Sequence, residues 1–191
     1  MGLLHGHRHA DRRGPVPGAD ARPAGEPLSG RIRTPEGPFR YRHPIEVRYV
    51  DTDGLGHVNN ATYLSYFEMA RAGYYAALTG HPFGTGPDAA KQTFVIAEVH
   101  IAYRSPAFFG EPIACECRVA WASRSAFGLD YRVVSDGGPI APARLVADGS
   151  SVQVMYDLTA DRVSRMPADL IDAIERFEGR PIPRHQPRGE A

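Results

Sequence analysis

Between Tyr49 and Arg71 the chain gathers the residue types needed to break an activated acyl bond. Asp51 and Asp53 are carboxylates, Gly54 and Gly56 loosen the backbone, His57 is an imidazole, and Asn59 and Asn60 are short polar groups. Glu68 follows inside an apolar run. Hydrolysis needs an ionisable group that raises or delivers a nucleophile, and donors that receive the negative charge developing on the carbonyl oxygen. A strand end feeding a helix start supplies both, because the leading N–H groups of a helix have no internal partner. Each residue also has a plain structural reading. Asp53 before Gly54 is an ordinary turn residue, and Asp51 either raises its pKa by repulsion or simply caps the strand. Glu68 either lines a site or pairs with Arg71 three residues on; Phe67 and Met69 beside it argue for partial burial. His57 either orients a reacting group or stabilises the loop.

Other chemistries find little support. There is no Gly-x-Ser-x-Gly elbow and no phosphate-binding Gly-x-x-x-x-Gly-Lys loop, and Lys91 is the only lysine. Ligand spacings for a metal are absent, since His5, His7 and His9 alternate on a tail with no preorganisation. Cys115 and Cys117, one residue apart in a strand-like run, read as small core hydrophobes in a reducing compartment. Nothing in the chain demands a metal or a redox cofactor.

The elements that must position the reactive run follow from periodicity. Ile45, Val47 and Tyr49 alternate with Glu46 and Arg48 as a half-buried strand does. The turn Asp51 to Gly56 ends it, Asn59 or Asn60 caps a helix over 61–79, and Gly80-His-Pro stops that helix. Its apolar residues run nearly all round, so more than one surface buries it. Tyr63, Tyr66, Tyr74 and Tyr75 serve as helix packing or as an aromatic pocket, and the segment 81–92 is a candidate wall for an aliphatic chain. Period-two alternation then gives four strands: Val95 to Tyr103, Ile113 to Trp121, Phe127 to Val133, and Val152 to Leu158. The last extends backwards through Leu145 with a break at Asp148-Gly149. Residues 167–177 form a short amphipathic helix. The class is α+β: five antiparallel strands wrapped about one long helix.

Residues 1–42 hold six Pro, seven Gly, eight Arg and four acids, and read as a disordered extension; 43–178 is one domain and 179–191 a polar tail. The 191 residues carry a net charge of zero, which calls for neither nucleic acid nor an anionic membrane as partner. No stretch is long and apolar enough to span a bilayer, and no secretion signal opens the chain, so a cytoplasmic protein is expected.

The run Arg48-Tyr49-x-Asp51-Thr52-Asp53-x-x-Gly56-His57-Val58-Asn59-Asn60-x-x-Tyr63-x-x-Tyr66-Phe67-Glu68-x-Ala70-Arg71 closely resembles the signature of hotdog-fold acyl-CoA thioesterases of the 4-hydroxybenzoyl-CoA thioesterase type. Tyr103 to Ala107, Gly110 to Pro112 and the stretch Trp121 to Phe127 extend the likeness more loosely, to about residues 43–177. The resemblance implies a hotdog fold, a homodimer or homotetramer, and hydrolysis of an acyl-CoA to free acid and CoA without a cofactor. It places the catalytic carboxylate on Asp53, as nucleophile or as general base, with Glu68 as the alternative. His57 and Asn60 match positions at the reacting centre. The amides around Asn59–Tyr63 would polarise the carbonyl, Gly56, Val58, Asn59, Tyr63 and Phe67 would border the substrate, and Arg124 would meet the nucleotide phosphates, with Arg162 and Arg165 as further basic candidates. An acyl-carrier-protein substrate, or a non-catalytic acyl-CoA-binding module, stays open beside this reading.

Overall fold

The structure, a computed structural model, describes residues 37–85 and 92–184. Most of the 1–42 extension, with its three histidines, lies outside the described residues, as does the tail from 185. In chain order come β1 (Tyr41–Glu46), a 3₁₀ turn (Tyr49–Asp51), α1 (Thr62–Thr79), β2 (Gln92–Tyr103), β3 (Pro112–Ala122), β4 (Ala126–Ser135), β5 (Arg144–Asp157), the two-residue β6 (Arg162–Val163) and α2 (Ala168–Glu178).

The strands build one antiparallel sheet in the order β1-β3-β4-β5-β2, with β6 added against β5. The five expected strands are its main path; β6 makes a sixth. Helix α1 lies across one face and buries Tyr63, Tyr66, Phe67, Ala70, Arg71 and Tyr74 on a single stripe, the three-and-four spacing that a helix presents to a sheet. Against it pack Cys115, Cys117, Val119, Leu129, Tyr131 and Val133, all at most 1% exposed. Both cysteines are free, as small core residues should be. Gly149 of β5 lets α1 come this close: a Cβ there would meet the His100 carbonyl oxygen at 2.2 Å and the Phe67 ring at 2.9 Å. The amphipathic α2 closes the far end of α1, where Glu178 accepts from the Tyr74 hydroxyl at 2.7 Å and from Val119 N–H at 2.9 Å. Packing continues past the expected domain edge, since Ile182 is 3% exposed and Ala122 N–H donates to Pro183.

Three local expectations are corrected. β1 stops at Glu46, and the 3₁₀ turn swings Tyr49 outward to 77% exposure. A bulge between Val119 and Trp121 breaks the alternation, so Trp121 is partly exposed and Ala122 takes the inward place. In β5 there is no break at Asp148-Gly149, and the inward residues are Ser151, Gln153 and Met155 rather than Val152 and Val154. The polar pair faces the core because it has partners there. Ser151 Oγ shares a 2.8 Å hydrogen bond with the Tyr131 hydroxyl and lies 2.5 Å from the Gln153 amide.

Candidate active site

The β1–α1 connection separates its two aspartates by role. Asp51 is 3% exposed and is an anchor. It accepts from Arg48 N–H at 2.9 Å, from the Arg48 guanidinium at 2.7 and 3.3 Å, and from the Tyr66 hydroxyl at 3.1 Å. Burial alone would raise its carboxyl, but the hydrogen bonds from Arg48 and Tyr66 outweigh that and hold it below the ordinary carboxylate range. Burial, and then Asp51 itself, push the Tyr66 phenol up. The charge of Asp51 is thus matched by Arg48 instead of being set against Asp53.

Asp53 stands two residues on with its side chain 26% exposed. One oxygen accepts from Leu55 N–H at 2.9 Å, and its backbone closes a tight loop with Gly56 and His57. Gly56 holds φ +78° with open space around it, so this position needs backbone freedom instead of side-chain room. The His57 Nδ1 atom is 3.9 Å from the Asp53 carboxylate and 3.3 Å from the Val58 carbonyl oxygen. That is ion-pair range for an imidazolium and one small ring movement from a hydrogen bond.

The chain then turns directly into α1. Val58, 2% exposed, pins the loop through N–H to the Ala107 carbonyl at 2.8 Å, and Asn59 N–H donates to the Asp51 carbonyl at 2.8 Å. Asn59 Oδ1 accepts from Ala61 N–H at 2.9 Å in the turn before the helix; neither Asn59 nor Asn60 is the cap expected, since Ala61 takes the N-cap place without a side-chain bond. Thr62 N–H goes to the Asn59 carbonyl at 3.0 Å, leaving the N–H groups of Asn60 and Tyr63 without an acceptor among the described residues. A carboxylate, an imidazole and unspent helix N–H groups therefore meet at one end of the sheet. Together they can activate a water or attack a carbonyl and receive an oxyanion.

Other sequence candidates fall elsewhere. Tyr63 and Phe67 are core residues: Tyr63 is 3% exposed, its phenol pushed up to about 12 chiefly by burial, and Phe67 stacks on Tyr131 at 4.2 Å. Glu68 is exposed, against the expected partial burial, and forms no pair with Arg71, which turns inward to the Tyr131 hydroxyl. Glu68 shares its open helix face with Leu64 and Met69. Arg124 is exposed in the β3–β4 turn. β1 meets β3 with Glu46 opposite Pro112, so the turn after Ala122 is at the other end of the sheet. At about 3.3 Å per residue, β3 separates it from Asp53 by roughly 30 Å within one chain. Sequence reasoning missed two contributors. Arg48 clamps Asp51, and Tyr103 on β2 reaches across to donate to the Asn60 carbonyl at 2.9 Å while its ring meets Tyr63 at 5.4 Å. Both lay in stretches that carried the resemblance, but these contacts depend on the tertiary packing and nothing local marks them.

A profile of the thioesterase-like superfamily matches residues 47–174, which runs from the end of β1 into α2. The chain belongs to that superfamily. Comparison with curated proteins found no match. Among solved structures, a thioesterase from Thermus thermophilus complexed with coenzyme A and Zn is 30% identical, covering 75% of this chain and 98% of its own, with a TM-score of 0.62. A hypothetical protein, TT1821 from Thermus thermophilus, is 29% identical over 72% of this chain and 98% of its own, with a TM-score of 0.63. The 1,4-dihydroxy-2-naphthoyl-CoA thioesterase Slr0204 from Synechocystis, 19% identical over 70% of this chain and 94% of its own, shares the fold at a TM-score of 0.61. The superfamily assignment makes the architecture a hotdog fold and the chemistry thioester hydrolysis in general. No helix among the described residues is long and apolar enough to cross a membrane.

Proposed function

We propose that this thioesterase-superfamily member hydrolyses an acyl-CoA to free acid and CoA as a homodimer, in the manner of the 4-hydroxybenzoyl-CoA type. The observation that carries the reading is the partly exposed Asp53 carboxylate set before unspent N–H groups at the start of α1, with His57 3.9 Å away. The carbonyl oxygen docks at the Asn60 and Tyr63 amides, which are oriented in advance for the oxyanion. Asp53 either takes a proton from water, which attacks the carbonyl carbon, or attacks it directly to give an anhydride that water opens. In both routes the tetrahedral oxyanion collapses, the C–S bond breaks, and the leaving thiolate takes a proton. His57 stands 3.9 Å from Asp53 and orients it. Side chains and backbone carry every step, with no metal. The related Thermus protein solved with coenzyme A supports CoA over carrier protein as the thiol.

A second copy completes this site. Among the described residues β2 pairs only with β5, and it exposes Val95, Ile96, Val99 and Tyr103 by 37–49%. A 12-residue strand with its other edge unpaired is a template for another strand. Antiparallel pairing of two β2 edges about a two-fold axis brings the far end of one sheet, with Arg124 and Arg162, to the catalytic end of the other. There they suit the nucleotide phosphates. The test is thiol release from short, long and aryl CoA esters, and from a carrier-protein thioester, by wild type and Asp53→Asn. CoA-ester turnover lost in the variant supports the proposal. Tight acyl-CoA binding without thiol release would instead make this a binding module.

A further inference from the structure

We propose that the space beneath the C-terminal half of α1 receives the far end of the acyl chain, and that Arg71 makes it select chains ending in a carboxylate. The inference rests on the thioesterase reading above and adds its substrate class. Arg71 is the one charged residue on the buried stripe of α1 and is 8% exposed. A guanidinium carries five donors, yet among the described residues Arg71 makes a single long hydrogen bond, Nη1 to the Tyr131 hydroxyl at 3.4 Å. That hydroxyl is already shared with Ser151 at 2.8 Å. The buried carboxylate of Glu178 is committed to Tyr74 and Val119. With Tyr75, Leu78, Phe94, Phe127 and Leu170, Arg71 lines a space of about 20 Å³, room for one oxygen-sized group.

α1 and β2 lie side by side in opposite directions: Tyr63 meets Tyr103 at 5.4 Å at the catalytic end, and Tyr75 meets Phe94 at 6.1 Å at the other. The intervening helix is roughly 18 Å long at 1.5 Å per residue, the reach of a long extended acyl chain lying along α1. Tyr75, Leu78, Phe94 and Leu170 are only half-buried, so the outer wall can give way to a chain arriving along α1. A methyl end there would leave the guanidinium desolvated and still without an anion. A carboxylate end would give it a charge-assisted partner, the half-buried outer wall moving aside to admit it.

The experiment uses the full chain and non-hydrolysable thioether analogues of CoA carrying a sixteen-carbon chain that ends in methyl, carboxylate or carboxylate methyl ester. Binding is read by calorimetry and paired with kcat/KM on the matching thioesters. Wild type should bind the carboxylate end at least about tenfold more tightly than the methyl end, the worth of one charge-assisted hydrogen bond. Esterification should erase that margin, an arm that needs no variant. In Arg71→Met the margin should shrink to about threefold or less. Equal binding of all three ends by wild type, or a margin that survives in Arg71→Met, overturns the inference. The two readings fail separately: thiol release without discrimination refutes the selectivity and keeps the hydrolase, whereas discrimination by the analogues without thiol release refutes the hydrolase and keeps the site.

Discussion

Asp51 and Asp53 differ by two positions in sequence, and their amide variants should fail in opposite ways. In Asp51→Asn one acceptor oxygen replaces two, and an NH₂ group faces a donor of Arg48. The buried side chain now accepts four hydrogen bonds, three on Oδ2 and one on Oδ1, at 2.7–3.3 Å; at least the one on Oδ1 goes, and the other three lose their charge assistance. Hydrogen bonds to a charged group are worth about 1.5–3 kcal/mol each when buried. Arg48 is 67% exposed, which trims its share through solvent screening. A net loss of about 2 kcal/mol follows, or roughly 4–8 °C in Tm for a domain of this size. Asp53→Asn keeps an oxygen for Leu55 N–H, so stability should change by no more than about 0.5 kcal/mol. Removing the carboxylate should cost about 10²–10⁴ in kcat. Urea melts and a colorimetric thiol assay on the same preparations give both numbers. Wild-type kcat/KM in Asp53→Asn, or an Asp51→Asn melt that overlays wild type, would refute this division of labour.

Gly149→Ala should destabilise the fold by about 3 kcal/mol or more, because the new methyl must displace the β2 backbone or Phe67; a denaturant midpoint close to wild type would contradict the close helix–sheet approach. Stability should fall at both pH extremes. Asp51 and Glu111 are held below the ordinary carboxylate range in the folded state, because hydrogen bonds from Arg48 and Tyr66, and from Arg144, outweigh burial. Their contribution is fully present above the unfolded pKa, near 4, and is lost as pH drops through the folded values. The Tyr63, Tyr66, Tyr74 and Tyr131 phenols are raised first of all by burial, so stability should decline as pH climbs past about 10. Urea midpoints at pH 3.5, 7 and 10.5 check both limbs. Val99→Asp on the free edge of β2 should shift the sedimentation profile from dimer to monomer and reduce thiol release with it; an unchanged dimer would place the interface elsewhere.

By itself the sequence determined the order of elements, the helix limits and the reactive turn. Gly80 as stop and the alternating runs are local properties that neighbouring residues settle through backbone sterics and hydrogen bonding. Glycines at 54 and 56 likewise announce a tight turn, and the motif around them carried the superfamily before any coordinate was known. What it could not supply was the facing of side chains wherever a distant partner decides it. Ser151 and Gln153 point inward because Tyr131, on another strand, offers a hydrogen bond that no alternation rule contains. Trp121 turns outward because one bulge shifts the pleat by a residue. Glu68 and Arg71, three apart on α1, look like a surface pair until the sheet covers one and leaves the other in water. Arg124, which the resemblance made a phosphate contact, lies at the opposite end of the sheet from Asp53 within one chain. Only the tertiary structure told Asp51 from Asp53, since Asp51 is a buried anchor through its donors, one of them 15 positions away, and Asp53 stays partly exposed.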